Sequence, residues 1–429
     1  MKFFIKTFGC QMNVNDSEKM RHILEHKGLV AADNDEDADL VVLNSCAVRE
    51  KAQEKIFSYI GRLPREKRVI VAGCVAQSER EQILKGNKKV SFVVGTHQYY
   101  WIDDVLDDIV NESKRGVKAE FSRQWQDITP DLSARDSKVT GFISIMEGCD
   151  NFCSYCIVPF TRGREKHRPF ANIMAEAQLL ADNGYQEIIL LGQNVNNWQD
   201  PERGMLFPDL LARMGSEINV RWIRFITSYP GYFDRELIAV MKEHRRIARH
   251  IHFPAQAGST RVLKLMNRRY TRSQYLDMIG KFKRHIPDIQ FSSDFIVGFP
   301  GETDHDFRLT LSLLEKVEYE SIFSFIYSPR KHTKALALMD SLSLAQKKER
   351  LYELQELQRD IQLKNNQKLV GQTVEVLVTG RNSKAPAEMV GRTETYRVVN
   401  FVSDTPEGTF TKVKVERVGP YSLRGIEIT

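Results

Sequence analysis

Apolar positions along the first hundred residues follow two rhythms. Residues 2–8, 40–43, 69–72 and 90–94 are short runs rich in Val, Ile, Leu and Phe, whereas residues 16–27 and 50–62 return an apolar side chain every three or four positions. The short runs predict buried strands and the longer period predicts amphipathic helices, so their alternation predicts βαβ units on a parallel sheet. A helix ending near Ser113 closes this small α/β unit.

Residues 114–138 are polar, lose the periodicity and carry Gly116 and Pro130, which reads as a linker. A second alternation follows, with strands expected at 142–146, 187–191, 222–227, 250–253, 289–296 and 321–326 and helices at 173–183, 235–242, 274–285 and 304–317. Six strand–helix repeats predict a partial (β/α)6 barrel whose site lies at the C-terminal ends of its strands. Residues 344–367 read as one charged helix with a narrow apolar stripe at Leu351, Leu354, Leu357 and Ile361. Beyond Gly371 the rhythm shortens to strands at 374–378, 389–392, 396–401 and 410–415, the pattern of a small all-β barrel of the oligonucleotide-binding type. The expected class is α/β, divided into a parallel-sheet domain (1–113), a linker (114–138), the partial barrel (139–343), a connecting helix (344–367) and the small β-barrel (368–429).

Composition narrows the class. At 42% hydrophobic and 28% charged residues and a mean hydropathy of −0.38, the 429-residue chain can build several cores and is neither disordered nor collagen-like. No run approaches the roughly 20 apolar residues of a membrane span, and Lys6 interrupts any signal-peptide core. The expectation is a cytoplasmic protein without membrane contact. The formal charge is +6, yet residues 241–290 set twelve Lys and Arg against Glu243, Asp277 and Asp288. Such a stretch is either a set of solvated helix faces or a phosphate-binding surface.

Six cysteines are too few for a disulfide scaffold, so their positions matter more than their number. Cys149, Cys153 and Cys156 form C-x3-C-x2-C in the loop after the first barrel strand. Three thiolates so close can face one metal centre. Zinc would need a fourth ligand, whereas a four-iron cluster held by three cysteines keeps one iron open. Cys10, Cys46 and Cys74 each follow one of the first three main strands, so a parallel sheet brings them to one edge, where strands are about 4.8 Å apart. The helix N-termini that follow would favour thiolate. The competing reading is three ordinary core cysteines.

The first triad, with Tyr155 in C-x3-C-x-aromatic-C, resembles the radical S-adenosylmethionine superfamily. The second resembles the methylthiotransferase family within it, through Thr7-Phe8-Gly9-Cys10-Gln11-Met12-Asn13, Asn44-Ser45-Cys46-Ala47-Val48-Arg49 and Ala72-Gly73-Cys74. The likeness continues in Thr161-Arg162-Gly163-Arg164-Glu165, Gly192-Gln193-Asn194-Val195-Asn196 and Pro254-Ala255-Gln256-Ala257-Gly258-Ser259, and the last barrel resembles an RNA-binding TRAM domain. Ala257 and Arg269 depart from residues common in the family. The residues after Cys10 resemble the tRNA branch that acts on isopentenyladenosine; branches acting on a ribosomal protein or on threonylcarbamoyl-adenosine are the alternatives, and a non-catalytic zinc RNA-binding protein is a remote one.

The resemblance implies two 4Fe-4S clusters, on Cys149, Cys153 and Cys156 and on Cys10, Cys46 and Cys74, as ligands and catalytic centres. It also implies two S-adenosylmethionine molecules, one giving the methyl group and one the 5′-deoxyadenosyl radical that attacks adenine C2. Tyr155 would lie beside the adenine of S-adenosylmethionine. Strand-end polar residues expected to bind it are Gln193, Asn194, Ser228, Gln256, Ser293 and Asp294, each with a capping role as its alternative; Gly298 and Gly301 are adenine contacts or turn formers. Arg162, Arg164 and Arg168 either bind the phosphates of an anticodon stem-loop or pair with Glu165, and Phe160 or Tyr229 either stacks on the target base or belongs to the core. Expected partners are tRNA, an electron donor such as flavodoxin or ferredoxin, and a sulfur source, with the enzyme a monomer.

Overall fold

The computed structural model describes residues 1–47, 50–111, 114–232 and 235–428, with backbone alone at 50–53 and 109–111. Val48, Arg49 and Ser113, which the motif and helix readings include, lie outside the described residues. Strands β1 (Lys2–Phe8), β2 (Val30–Ala31), β3 (Leu40–Ser45), β4 (Arg68–Gly73), β5 (Val90–Val94) and β6 (Gly116–Lys118) form one parallel sheet in the order β2-β1-β3-β4-β5-β6. Every residue of β3 is buried. Helices cover both faces, so alternate residues feed two separate cores: Val41, Leu43, Val69 and Val71 in one, Leu40, Val42, Ile70 and Ala72 in the other.

Two expectations change here. Helix α1 (Gln11–His26) begins at Gln11, five residues before the apolar period starts, with Cys10 as its N-cap residue. Its first turns are polar yet buried, Asn13 and Asn15 both fully: Asn13 bonds Asn44 at the sheet edge and Asn15 bonds Ser144 of the next domain. The stretch 114–138 is no free linker: it supplies edge strand β6, Gln77 Nε2 donates to the Ala119 carbonyl, and Arg168 donates to Thr129 Oγ1. A tether bonded to both sides fixes their relation.

The central unit contains β7 (Thr140–Ser144), β8 (Met146–Glu147), β9 (Lys166–His167), β10 (Glu187–Leu191), β11 (Trp222–Phe225), β12 (His250–His252), β13 (Gln290–Val297) and β14 (Ser321–Ile326). β8 and β9 pair as a small antiparallel ribbon. The other six form parallel triplets β11-β10-β7 and β12-β13-β14, joined where Ala248 N donates to the Ile223 carbonyl and Ser228 N to the His252 carbonyl. The result is the expected open six-strand arc. Helix α2 (Leu344–Gln367) lies on it through fully buried Leu354, with Leu351, Leu357 and Ile361 packed beside it.

Strands β15 (Thr373–Arg381), β16 (Glu388–Arg392), β17 (Val398–Val402), β18 (Phe410–Val418) and β19 (Leu423–Ile428) close a barrel in the order β15-β16-β17-β19-β18. The fifth strand escapes the hydrophobic pattern because Arg424, Gly425 and Glu427 dilute it. This barrel docks on the N-terminal ends of the arc: Trp222 meets Phe410 edge-on at 4.9 Å, Arg224 donates to the Thr393 carbonyl, and Tyr396 stacks on His250 at 5.5 Å. Among the described residues no helix is long and apolar enough to cross a membrane.

Glu320 and Arg397 pair across this junction, and burial pushes the Glu320 carboxyl up to about 7. An acid whose folded value exceeds its unfolded one binds more protons when folded, so its contribution to stability declines as pH rises from the ordinary carboxylate range to about 7. We expect Glu320→Gln to flatten the fall in melting temperature between pH 5.5 and 7.5 relative to the parent, measured by circular dichroism.

Candidate active site

The register of the N-terminal sheet assembles the first cysteine set. Phe8 pairs with Ser45 and Ser45 with Gly73, so β1, β3 and β4 end in line. Cys46 N donates to the Phe8 carbonyl, and Cys10 and Cys74 follow their strands directly or one residue on. From β1 the chain crosses first to β2 on one side and then to β3 on the other, so the cysteines flank the point where ligands bind in open parallel sheets. Asn44 fixes the edge: its amide donates to the Asn13 carbonyl and to Ser17 Oγ, and Asn13 Nδ2 returns a bond to Asn44 Oδ1. Gly73, at φ +85°, lies where a Cβ would stand 2.3 Å from Asn44 Oδ1. Neither asparagine carried a role in the sequence reading, although both belong to the cysteine motifs.

The second set sits in the loop after β8. Gly148, at φ +83°, places a missing Cβ 2.1 Å from the Arg164 carbonyl, and its N–H donates to Gln193 Oε1 at 2.6 Å. Cys149 N donates to the Gly163 carbonyl, Ser154 N to the Met266 carbonyl and Cys156 N to the Cys153 carbonyl. The loop is therefore shaped by its own backbone bonds. Asn151 Nδ2 donates to Cys149 Sγ and Arg268 Nη1 to Cys153 Sγ, both at 3.5 Å. Arg268 itself lies between the rings of Tyr229 and Tyr270.

Burial pushes the Cys149 thiol up to about 11 and raises Cys74 and Cys156 as well. For Cys74 this overrides the expected pull of the helix N-terminus toward thiolate. Thiols held neutral by burial need a bound cation to become ligands. Four sulfurs around one zinc at about 2.3 Å would lie about 3.8 Å apart, yet among the described residues only His22, His26 and Asp131 bring three ligand atoms within 4.8 Å of one another. Neither cysteine triad brings its three sulfurs that close.

Between the N-terminal domain and the arc lies a cleft of about 160 Å³, lined by Ala47, Val75, Ser78 and Glu79 on one wall and by Ile157, Pro329, Arg330 and Lys331 on the other. Ala47, Val75 and Ile157 directly follow Cys46, Cys74 and Cys156. At the strand ends Asn194 Oδ1 and Ser228 Oγ are buried without hydrogen-bond partners, as polar atoms are when the group they bind is missing. Gln193 is committed to Gly148, while Gln256, at φ +68°, links β13 to its own loop by accepting from Ile296 N. Asp294 Oδ2 lies 3.3 Å from His252 Nε2.

Several expected contacts are corrected. Ser293 points away from Asp294 by strand alternation and accepts from Ala255 N in the outer core; Ser292, bonded to His252 Nδ1, holds the inner position. Gly298 is a turn former at φ +65°, packed under Lys347. Arg162 and Arg168 are buried and do not pair with Glu165: Arg162 Nη2 lies 2.5 Å from Asp16 Oδ2, and Arg168 pairs with Glu176 and Asp127. Only Arg164 is exposed, over the Phe152 ring. Tyr229 is buried, its hydroxyl accepting from Arg269 N, whereas Phe160 is partly exposed against His332. Tyr155 packs edge-on to Phe299. Glu147, paired with Lys166 at 2.6 Å beside His97, is a further buried charge beside the second loop that the sequence did not reveal. Ser122 N donates to His97 Nδ1 and His97 Nε2 donates to the Arg162 carbonyl, which fixes the neutral Nε2–H form; burial lowers its basicity accordingly.

An open six-strand parallel arc with a three-cysteine loop after its first strand defines a radical S-adenosylmethionine enzyme. Residues 143–314 match the radical SAM superfamily, residues 2–95 the uncharacterized protein family UPF0004, and residues 367–427 the TRAM domain. Proteins named tRNA-2-methylthio-N(6)-dimethylallyladenosine synthase are similar over nearly the whole chain. The one from Bacillus cytotoxicus is 42% identical over 99% of this chain and 85% of its own. Those from Thermodesulfovibrio yellowstonii and Coxiella burnetii are 39% and 42% identical, over 98% and 99% of this chain and 97% and 99% of theirs. The fold resembles the radical S-adenosylmethionine methyltransferase TsrM of Kitasatospora setae, at TM-score 0.58 and 13% identity over 78% of this chain and 77% of that one. The chain belongs to the family of tRNA-2-methylthio-N(6)-dimethylallyladenosine synthases.

The buried and exposed arginines differ in what they contribute to stability. Arg168→Ala leaves buried Glu176 undercompensated and should cost about 3–5 kcal/mol in urea unfolding. Arg164→Ala should leave the unfolding midpoint in place.

Proposed function

We propose that this chain methylthiolates C2 of the N6-isopentenyl (dimethylallyl) adenosine beside the anticodon of tRNA. One S-adenosylmethionine is the methyl donor, a second is the radical source, and sulfur is delivered at the Cys10, Cys46, Cys74 centre. The observation that carries this reading is a cleft lined by Ala47, Val75 and Ile157, the residues that follow Cys46, Cys74 and Cys156. Cys149, Cys153 and Cys156 would hold one 4Fe-4S cluster and Cys10, Cys46 and Cys74 the other, each with one iron free of protein ligands. When bound, these clusters and S-adenosylmethionine supply the one-electron chemistry that an unactivated adenine C–H bond requires.

The chain's own residues do the placing. Asn194 Oδ1 and Ser228 Oγ offer unused hydrogen-bonding capacity suited to the polar groups of S-adenosylmethionine. Phe323 and Phe325 share their register rows with Asp294 and Ile296, and Phe323 meets the His252 ring. At 49% and 37% exposed they make an apolar wall on the inner face of β14, suited to an unstacked base and its dimethylallyl chain. Met12, two residues past Cys10, packs with Leu191 and Ile226 on the inner face of the arc. The likeness of the last barrel to TRAM domains supports RNA binding, with the anticodon stem-loop as partner. A one-electron reductant such as flavodoxin or ferredoxin, a sulfur source, a monomeric state and a cytoplasmic location complete the reading.

Iron, sulfide and product analysis test it together. After anaerobic reconstitution we expect about eight irons per chain, falling to about four in a Cys149/Cys153/Cys156→Ala variant, and methylthio groups only on prenylated tRNA. Four or fewer irons in the parent, or stoichiometric zinc, would overturn the two-cluster assignment; equal methylthiolation of unprenylated tRNA, or of a ribosomal protein, would overturn the substrate.

A further inference from the structure

We propose that Arg162 is a positioning residue for the centre at Cys10, Cys46 and Cys74, its guanidinium oriented by Asp16 to set a fixed positive charge against the sulfurs. The inference rests on the reading that this triad holds an iron–sulfur cluster.

Arg162 comes from the barrel unit, six residues past Cys156, yet its side chain is 3% exposed and directed into the N-terminal domain. Its backbone is held on both sides: its N–H donates to the Val158 carbonyl at 2.7 Å and its carbonyl accepts from His97 Nε2. One guanidinium nitrogen meets Asp16 on α1 at 2.5 Å, while Nη1 is buried with no partner. The turn before it, Val158–Thr161, packs on the helix that begins at Cys74, and Asp16 lies on the helix capped by Cys10, so the guanidinium carries its charge beside both sulfurs.

A buried guanidinium brings five donors and a charge, and one carboxylate answers only part of both. Further compensation has to come from an anionic neighbour. Cys10 and Cys74 are the sulfurs beside it, and as metal-bound thiolates they would supply that charge. The other triad repeats the arrangement with Arg268 on Cys153. Hydrogen bonds and charge at cluster sulfurs set the reduction potential, so a fixed cation here would raise it and favour electron uptake. No motif spacing shows this, because Arg162 and the triad belong to different domains.

The test uses the full chain carrying Cys149/Cys153/Cys156→Ala, which leaves one cluster, with EPR-monitored redox titration and iron content as readouts. Arg162→Gln should move the midpoint potential to more negative values, Arg162→Lys should keep it near the parent, and Asp16→Asn should move it the opposite way by removing the compensating anion. Iron lost from the Gln variant and retained by the Lys variant also supports the proposal. A full iron complement with an unmoved potential in Arg162→Gln would overturn it, as would iron lost equally from the Gln and Lys variants, which marks a role in folding alone. Absence of iron from the parent background is a distinct result that overturns the cluster reading and this inference with it.

Discussion

The structure depends on buried charge at the seam between the N-terminal sheet and the barrel. Asp16 meets Arg162 there, Asn15 bonds Ser144 and the Phe142 carbonyl, and behind them Glu176 of the barrel takes Arg168 and, from the connecting segment, Arg135. Buried ions tolerate little displacement, since breaking one pair leaves the other charge uncompensated at a cost of about 3–5 kcal/mol. An apolar seam of the same area could slide. A polar one allows a single registration, and that registration brings residues 47, 75 and 157 to one cleft.

The seam explains which parts of the fold were legible in the sequence. Strands that feed two cores, and the outer helices of the barrel, declare themselves by period, so all six arc strands were found close to where they lie. Helix α1 was read from residue 16 because its first turns bury polar side chains: Asn13 bonds Asn44, while Asn15 and Asp16 meet Ser144 and Arg162 in the next domain, and no local period encodes that. Arg162 and Arg168 read either as phosphate binders or as partners of Glu165, because a run of arginines after a cluster loop looks the same whatever its anions are; here they are Asp16 from the N-terminal domain, and Glu176 and Asp127. The positions of the six cysteines were legible because strand ends and loop spacing are local; Asn44, Glu147 and His97 were not, because their roles exist only through partners in the folded chain. Ser293 missed the inner face by a single step of strand alternation, since it lies among the buried outer positions of β13 while Ser292 and Asp294 face inward.

The two ends of the arc do different work. Cysteines, unsatisfied polar atoms and the cleft gather at the C-terminal ends of the strands, where loops are free to vary without disturbing the sheet. The small barrel occupies the opposite end, where Arg224 is locked between Glu187 and the Thr393 and Glu394 carbonyls and Tyr396 closes the floor against His250. The basic stretch 241–290 leaves Arg245, Arg269 and Arg284 exposed.

Preorganisation sets how the cofactor sites can work. The backbone of the 148–156 loop is bonded to Gln193, Gly163 and Met266, and the Cys10 turn is bonded through Asn13 to Asn44. Those bonds fix where the cysteines stand, and deprotonating thiols that burial holds neutral opposes the free energy of metal binding. Donors directed at the sulfurs, Asn151 at Cys149 and Arg268 at Cys153, lower that opposition by favouring the thiolate form.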